Sequence, residues 1–111
     1  MNEVQHRSRA GAGLDREEVI ATLRAHQAEL DRRGVRHAAL FGSVARGEAK
    51  RTSDIDILID LDPHAPIGLF EYVGITQYIT DLFPVPVDVV NRSSLKPLVR
   101  PDIERDAVYA F

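Results

Sequence analysis

The sequence predicts one α/β (α+β) domain built on a small β-sheet, and three observations support this fold class. The chain has 111 residues, a length that suits a single hydrophobic core. Segments with apolar residues at helical spacing alternate with short runs rich in Val, Ile and Leu, an order typical of domains that mix helices and strands. The hydrophobic fraction of 44% and the charged fraction of 28% are typical of a soluble globular protein. We assign residues 14–111 to this domain and the polar residues 1–13 to a flexible N-terminal lead-in.

The first predicted helix begins after Asp15 and ends near Gly34. Asp15 can accept backbone hydrogen bonds as the N-cap, and Glu18, three residues later, completes a capping-box pattern. The apolar residues of this helix recur at helical spacing: Val19, Leu23 and Leu30. Gly34 stands where a residue in the left-handed conformation is expected to end the helix. His26 shares the apolar stripe, so we expect it to pack against the core rather than to act in catalysis.

Strands are expected on either side of the most informative part of the chain. Val35–Phe41 is the first predicted strand and ends at Gly42, and Ile55–Leu61 is the second. Alternation along the second strand places its side chains in two sets: Ile55, Ile57 and Ile59 on one face, and Asp54, Asp56, Leu58 and Asp60 on the other. Residues 67–83 are expected to form a helix, and residues 85–90 a third strand. A crossover of this length can return the chain parallel to the second strand.

The tail, residues 95–111, is expected to hold one or two short helices broken by prolines. Pro97 and Pro101 interrupt the backbone hydrogen bonding that a longer helix needs, and Asp102 is a candidate N-cap. The apolar residues of the tail are expected to pack on the domain itself: Val108, Tyr109 and Phe111.

Composition excludes several classes of function. The net charge of −3 provides no basic surface for long duplex nucleic acid, so we expect no direct binding to it. The chain has no cysteine, which excludes disulfides and thiolate metal sites. No stretch approaches the roughly 20 apolar residues that span a bilayer, and the first residues do not resemble a secretory signal. We therefore expect a cytoplasmic protein without a membrane partner.

The junction after the first strand has the features of a phosphate-binding turn. Gly42 lets the backbone approach a ligand closely, and Ser43 offers a hydroxyl and an amide at the start of a short helix. Anions are stabilised at such a helix N-terminus by its unpaired N–H groups. Arg46 follows, and it could contact a phosphate or simply pair with Glu48 as a surface charge. Alone, a Gly-Ser pair is most often an ordinary turn, so its neighbours decide the interpretation.

Three acidic residues change the interpretation of the Gly-Ser pair from an ordinary turn to a phosphate-binding one. Asp54 and Asp56 are two residues apart, so their carboxylates project from the same face at the edge of a strand. Two such carboxylates can bridge a pair of Mg²⁺ ions, which in two-metal chemistry lie about 3.5–4 Å apart. Asp88 is the single acid in an apolar run, where an unpaired buried carboxylate would be costly and a metal would be a good partner. The alternative is that Asp88 lies at a strand end and is solvated.

These residues resemble the nucleotidyltransferase superfamily that includes DNA polymerase beta and the kanamycin nucleotidyltransferases. The matching segments are Gly42-Ser43-Val44-Ala45-Arg46-Gly47 and Ser53-Asp54-Ile55-Asp56, and their spelling is similar to that of the minimal nucleotidyltransferases of prokaryotes. The resemblance covers residues 35–111, more loosely from residue 98 onwards. It implies a nucleotidyltransferase fold, a small mixed sheet of about three to four strands flanked by helices.

The resemblance also implies the roles of the site residues. Asp54, Asp56 and Asp88 would be catalytic and would hold two Mg²⁺ ions, with Mn²⁺ as the alternative, and Asp88 would help to orient the attacking hydroxyl. The residues implied in nucleotide binding are Gly42, Ser43, Arg46 and Ser53. The substrate would be a nucleoside triphosphate such as ATP, attacked at its α-phosphate with pyrophosphate as the leaving group.

The biological role is implied by the family rather than by composition. Small stand-alone members are commonly encoded beside a HEPN-domain ribonuclease toxin, and some attach AMP to a tyrosine of that toxin as its antitoxin. We therefore expect an adenylyltransferase antitoxin with a HEPN-type partner. One alternative is an antitoxin that acts by binding alone, against which the intact acids argue. Another is an antibiotic-modifying nucleotidyltransferase, although those members usually carry an additional helical domain for the acceptor.

Overall fold

The computed structural model describes residues 15–48 and 54–111, so the predicted lead-in, residues 1–13, and Ser53 lie outside the described residues. The strands of the described residues are β1 (Val35–Phe41), β2 (Ile55–Leu61), β3 (Val87–Asn91) and β4 (Val108–Tyr109). Their helices are α1 (Arg16–Ala25), α2 (Gln27–Arg32), α3 (Gly42–Ala45), α4 (Leu69–Thr80) and α5 (Arg100–Asp106), with a 3₁₀ turn at Arg92–Ser94. No helix within these residues is long and apolar enough to cross a bilayer.

The four strands form one mixed sheet in the order β3-β2-β1-β4. β1 pairs with β2 and β4 in antiparallel fashion, whereas β3 runs parallel to β2 after the α4 crossover. The predicted fold class is therefore confirmed, and the first two strands have the predicted bounds. Because β2 is central, its first residues lie between the end of β1 and the start of β3.

The core forms where the isoleucine face of β2 meets the helices. Ile55, Ile57 and Ile59 are buried together with Leu23 of α1 and Ile79 of α4. Leu58 lies on the opposite face of β2, where α5 packs against β1 and α3, and it is buried as well. The sheet therefore buries apolar side chains on both faces, while the acidic residues of β2 keep partial access to solvent.

The start of the first helix is confirmed, but its continuity is not. Asp15 and Glu18 form the predicted capping box, and Gly34 has the predicted positive φ, 99°. The predicted single helix is wrong at His26, where the backbone N–H bonds to the carbonyl of Leu23 and α1 ends. His26 is half-buried, and its ring meets Tyr78 edge-on with centroids 5.9 Å apart, which confirms its packing role.

The second half of the chain requires several corrections. The predicted helix over residues 67–83 is shorter, because Gly68 is its N-cap and donates its N–H to Glu71 at 2.9 Å. The predicted strand over residues 85–90 begins only at Val87, after two prolines that lack an N–H donor. Asp102 is not an N-cap: it lies inside the first turn of α5, which begins after Val99.

The last residues pair with the sheet, which the sequence did not predict. β4 lies beside β1, and the N–H of Ala110 donates to the carbonyl of Ala38 at 2.8 Å. Two of the three apolar tail residues, Val108 and Phe111, pack on the core as predicted. Tyr109 stays 45% exposed, because it lies on the opposite face of the sheet and meets His37 edge-on.

Candidate functional site

The described residues that follow β1, 42–48, form a tight turn closed by its own backbone. The chain leaves β1 at Phe41 in an extended conformation and enters α3 at Gly42, whose φ is 78°. The N–H of Arg46 donates to the carbonyl of Gly42 at 3.1 Å, and the N–H of Glu48 donates to the carbonyl of Ser43 at 2.8 Å. The predicted short helix after Gly42-Ser43 is therefore present, and Ser43 lies in its first turn, half-buried.

Gly42 is packed directly against the carboxylate of Asp56. A Cβ added at Gly42 would overlap Asp56 Oδ2 and would lie 3.1 Å from the carboxyl carbon. Position 42 is thus restricted to glycine by its positive φ and by the space that Asp56 occupies. This contact brings the turn and Asp56, one of the three acids of the candidate site, together.

The three predicted acids lie close together at one end of the sheet. Asp56 pairs in register with Phe41 of β1 on one side and with Asp88 of β3 on the other. Phe41, Asp56 and Asp88 therefore form one row across the three strands. Neighbouring strands are about 4.8 Å apart, which brings the two acids side by side. Asp54 precedes β2 by one residue and is exposed, as predicted for the edge of a strand.

The electrostatics of the acids agree with this placement. The pKa of Asp56 is raised above its ordinary value of 3.8, first by burial and then by the negative charges of Asp88 and Asp54. The positive charge of Arg46 acts in the opposite direction and lowers the pKa of Asp56. A cation between these carboxylates would relieve their mutual repulsion.

One premise about Asp88 is wrong. The apolar run predicts a buried acid in need of a partner, but Asp88 is exposed, as in the alternative of a solvated acid near a strand end. The reason is that β3 is an edge strand, and Asp88 lies on its open face. What brings Asp88 to the site is its register opposite Asp56, not burial.

The donor chemistry of the acids fits magnesium, although their side chains do not form a closed cage. Among residues 15–48 and 54–111, no three His, Asp or Glu side chains are gathered tightly enough to hold a metal ion as they stand. Mg²⁺ commonly uses one or two carboxylates and completes its shell with waters and substrate phosphates. Asp54, Asp56 and Asp88 therefore suit an ion that binds together with a nucleotide.

Within the described residues the side chain of Arg46 makes two hydrogen bonds, and the sequence indicates only one of them. Its Nε donates to Glu48 at 3.0 Å, which is the local pair given above as the alternative to a phosphate contact. Its Nη1 donates to Asp106 at 3.1 Å, at the end of α5. No sequence signal pointed to Asp106, because 60 residues separate the two partners. A second long-range bond supports the same turn, since Arg16 of α1 donates to the carbonyl of Ala45 at 3.0 Å.

Comparison with known proteins gives consistent matches over most of the chain. The model of the nucleotidyltransferase domain family matches residues 23–110. The protein adenylyltransferase MntA of Thermococcus cleftensis is 41% identical over 99 residues, which span 88% of this chain and 98% of MntA. A solved structure described as a minimal nucleotidyltransferase is 32% identical with a TM-score of 0.72, covering 88% of this chain and 98% of its own.

A toxin–antitoxin structure with AMP-PNP shares the fold. It covers 79% of this chain and 72% of its own with a TM-score of 0.61. Its identity is 20%, so this match shows a common fold and no more.

Proposed function

Because the chain belongs to the nucleotidyltransferase domain family, we propose that it transfers AMP from ATP to a tyrosine hydroxyl of a partner protein. We propose that the partner is a HEPN-type ribonuclease toxin and that this chain is its antitoxin. The observation that carries the proposal is the row formed by Asp56 and Asp88 beside the Gly42 turn. Further support comes from the name of a relative, protein adenylyltransferase MntA, while the toxin–antitoxin structure with AMP-PNP contributes only the shared fold.

In the proposed reaction the residues of the chain position the reactants. Asp54 and Asp56 would hold Mg²⁺ or Mn²⁺, and Asp88 would complete the set. When bound, the ions would neutralise the negative charges of the phosphates. The N–H groups of Gly42 and Ser43 would contact the triphosphate. No covalent enzyme intermediate is needed, because positioning and charge stabilisation are sufficient for such a displacement.

The displacement balances without another reactant. The tyrosine oxygen forms a bond to the α-phosphorus of ATP, and the bond from that phosphorus to the bridging oxygen of the β-phosphate breaks. Pyrophosphate leaves with the electron pair of that bond. Asp88 would accept a hydrogen bond from the attacking hydroxyl, whose proton passes to solvent. As the reaction uses ATP, we propose the cytoplasm as its location.

The proposal is tested by labelling of the purified partner. The chain is incubated with a folded HEPN-type toxin, Mg²⁺ and α-labelled ATP, and label is expected on a toxin tyrosine. Asp54→Asn should abolish transfer, because an amide cannot supply the negative charge that holds the ion. Asp31→Asn, an exposed acid on α2, is the matched control and should transfer normally. Absence of label with the unaltered chain would refute protein adenylylation.

The same preparation separates catalysis from binding. If transfer is what silences the toxin, Asp54→Asn should leave its ribonuclease activity intact at equal concentrations of the two proteins. Neutralisation by Asp54→Asn equal to that by the unaltered chain would show that binding alone is sufficient.

A further inference from the structure

One long-range ion pair joins the nucleotide turn to the last helix. Arg46, just after α3, donates from Nη1 to Asp106 Oδ2, and Asp106 is the last residue of α5. We propose that Asp106 is a positioning residue for nucleotide transfer, which holds the Arg46 guanidinium beside the acids where it can meet the triphosphate. The inference rests on the proposed function, since it needs a bound nucleotide.

The two carboxylates that hold Arg46 are not equivalent. Glu48 is two residues away, and its side chain is 64% exposed. Asp106 belongs to a different element and is 27% exposed. Of two ion pairs at the surface, the one with the less exposed carboxylate is screened less by water and salt. Asp106 therefore fixes the position of Arg46 relative to the rest of the fold, whereas Glu48 moves with the same turn.

Asp106 is itself on an anchored helix. Within α5, Glu104 accepts a hydrogen bond from Arg92 at 2.8 Å, and Arg100 donates to the Arg92 carbonyl at 3.0 Å. Arg92 also lies 3.9 Å from Asp60 of β2, the strand that carries the metal acids. The position of Asp106 is thus tied to the same strand as Asp56.

Arg46 keeps donors for a ligand while it is held. A guanidinium has five N–H donors, and the bonds described to Glu48 and Asp106 use two of them. Its backbone N–H bonds to the carbonyl of Gly42, which packs against Asp56, so Arg46 lies on the turn where the triphosphate would bind. A side chain that is held before the ligand arrives loses less conformational freedom on binding, which improves affinity.

The test is Asp106→Ala, measured by calorimetric titration with ATP and Mg²⁺ and by steady-state transfer. We expect the Kd for ATP and the KM for ATP to rise about five- to tenfold, with kcat changed much less. The melting temperature should change little, because an ion pair at the surface contributes little to stability. Asp106→Glu, which keeps the charge, should recover most of the affinity.

Two further variants separate positioning from a structural role. Asp102→Ala, on the same helix, removes an exposed acid that pairs with Arg105, and it should bind ATP normally. The exchanged pair Arg46→Asp with Asp106→Arg should recover any lost stability but not ATP affinity, because the positive charge would be on the wrong element. Recovery of affinity by the exchanged pair would overturn the inference.

The outcomes also distinguish the inference from the function on which it rests. If the unaltered chain binds ATP and Asp106→Ala binds it equally well, the inference is wrong and the proposed function stands. If the unaltered chain binds no ATP in the presence of Mg²⁺, both are wrong.

Discussion

Gly42 and Asp56 are in such close contact that any side chain at position 42 would have to displace the Asp56 carboxylate. A Cβ there would overlap Asp56 Oδ2, and the φ of 78° independently disfavours any residue with a side chain. The turn proposed to bind phosphate and the acid proposed to bind metal are therefore positioned by one contact. A substitution at either residue should therefore shift the position of the other.

Gly42→Ala is expected to reduce transfer strongly. The new methyl group must displace the Asp56 carboxylate, and a displacement near 1 Å can lower the rate by about 100-fold. Steady-state transfer measures this effect. Gly47→Ala is a matched control, because its φ is 75° but nothing lies within 4 Å of an added Cβ. Gly47→Ala should lose about 1–2 kcal/mol of stability from backbone strain, with a much smaller loss of rate. Equal losses of rate in the two variants would contradict the contact as the cause.

Asp56→Asn is expected to stabilise the metal-free protein at neutral pH. The pKa of Asp56 is raised in the folded state, so the folded protein holds this proton more tightly than the unfolded chain does. The resulting destabilisation is absent below the unfolded pKa, near 3.8, and is complete once the pH exceeds the raised folded pKa. The substitution removes it, so the difference in melting temperature should appear as the pH rises from 3 towards 7.

Thermal melts in EDTA at a series of pH values measure this difference. Addition of Mg²⁺ with ATP should then stabilise the unaltered chain more than Asp56→Asn, because the amide is a poor ligand. Asp31→Asn serves as the control for a generic loss of charge. A lower melting temperature for Asp56→Asn at pH 7 in EDTA would show that repulsion is not the dominant effect.

Asp88→Asn is expected to lower the pKa of Asp56. The two residues are register partners, and the charge of Asp88 is the largest contribution to that pKa after burial. Carboxyl carbon chemical shifts, followed by NMR during a pH titration, report the pKa directly. Asp60→Asn, four residues along the same face of β2, should leave it nearly unchanged. An unchanged Asp56 pKa in Asp88→Asn would mean that the carboxylates are farther apart than the register indicates.

At two glycines away from the site, substitution by alanine should change the free energy of unfolding in opposite directions. Gly34→Ala places a Cβ 2.6 Å from Ile67 Cδ1 at a φ of 99°, so we expect a loss of about 1–3 kcal/mol. Gly74→Ala lies inside α4 and meets only Arg33 at 3.8 Å, an ordinary contact. Helix propensity alone should then stabilise the protein by about 0.5–1 kcal/mol. Urea unfolding measures both, and a Gly74→Ala variant of lower stability would contradict the described packing.

Prediction from sequence succeeded where a local pattern carried the information. The apolar runs of β1 and β2 stand between clear end signals, and both strands have the predicted bounds. The capping box at Asp15 and Glu18 is likewise a short-range pattern, and it is present. The proximity of the acids was expected from the family resemblance, and the register of β3 against β2 provides its structural basis.

The features that were not predicted depend on contacts between residues that are far apart in the sequence. β4 has two residues, too few to show any periodicity, and it exists because it pairs with β1. The exposure of Asp88 likewise depends on the place of β3 at the edge of the sheet rather than on neighbours in the chain. The pairing of Arg46 with Asp106 spans 60 residues, and only the folded chain reveals it.

The raised pKa of Asp56 has a consequence for protein engineering. At this residue, selection for heat resistance and selection for catalysis pull in opposite directions, since a neutral side chain would ease the crowding of negative charge. A library screened only for thermal tolerance should therefore collect Asn or other uncharged residues at position 56 and become enriched in inactive clones. Screening in the presence of Mg²⁺ and ATP should reverse that enrichment, because the bound ion would stabilise the protein that carries the Asp56 carboxylate.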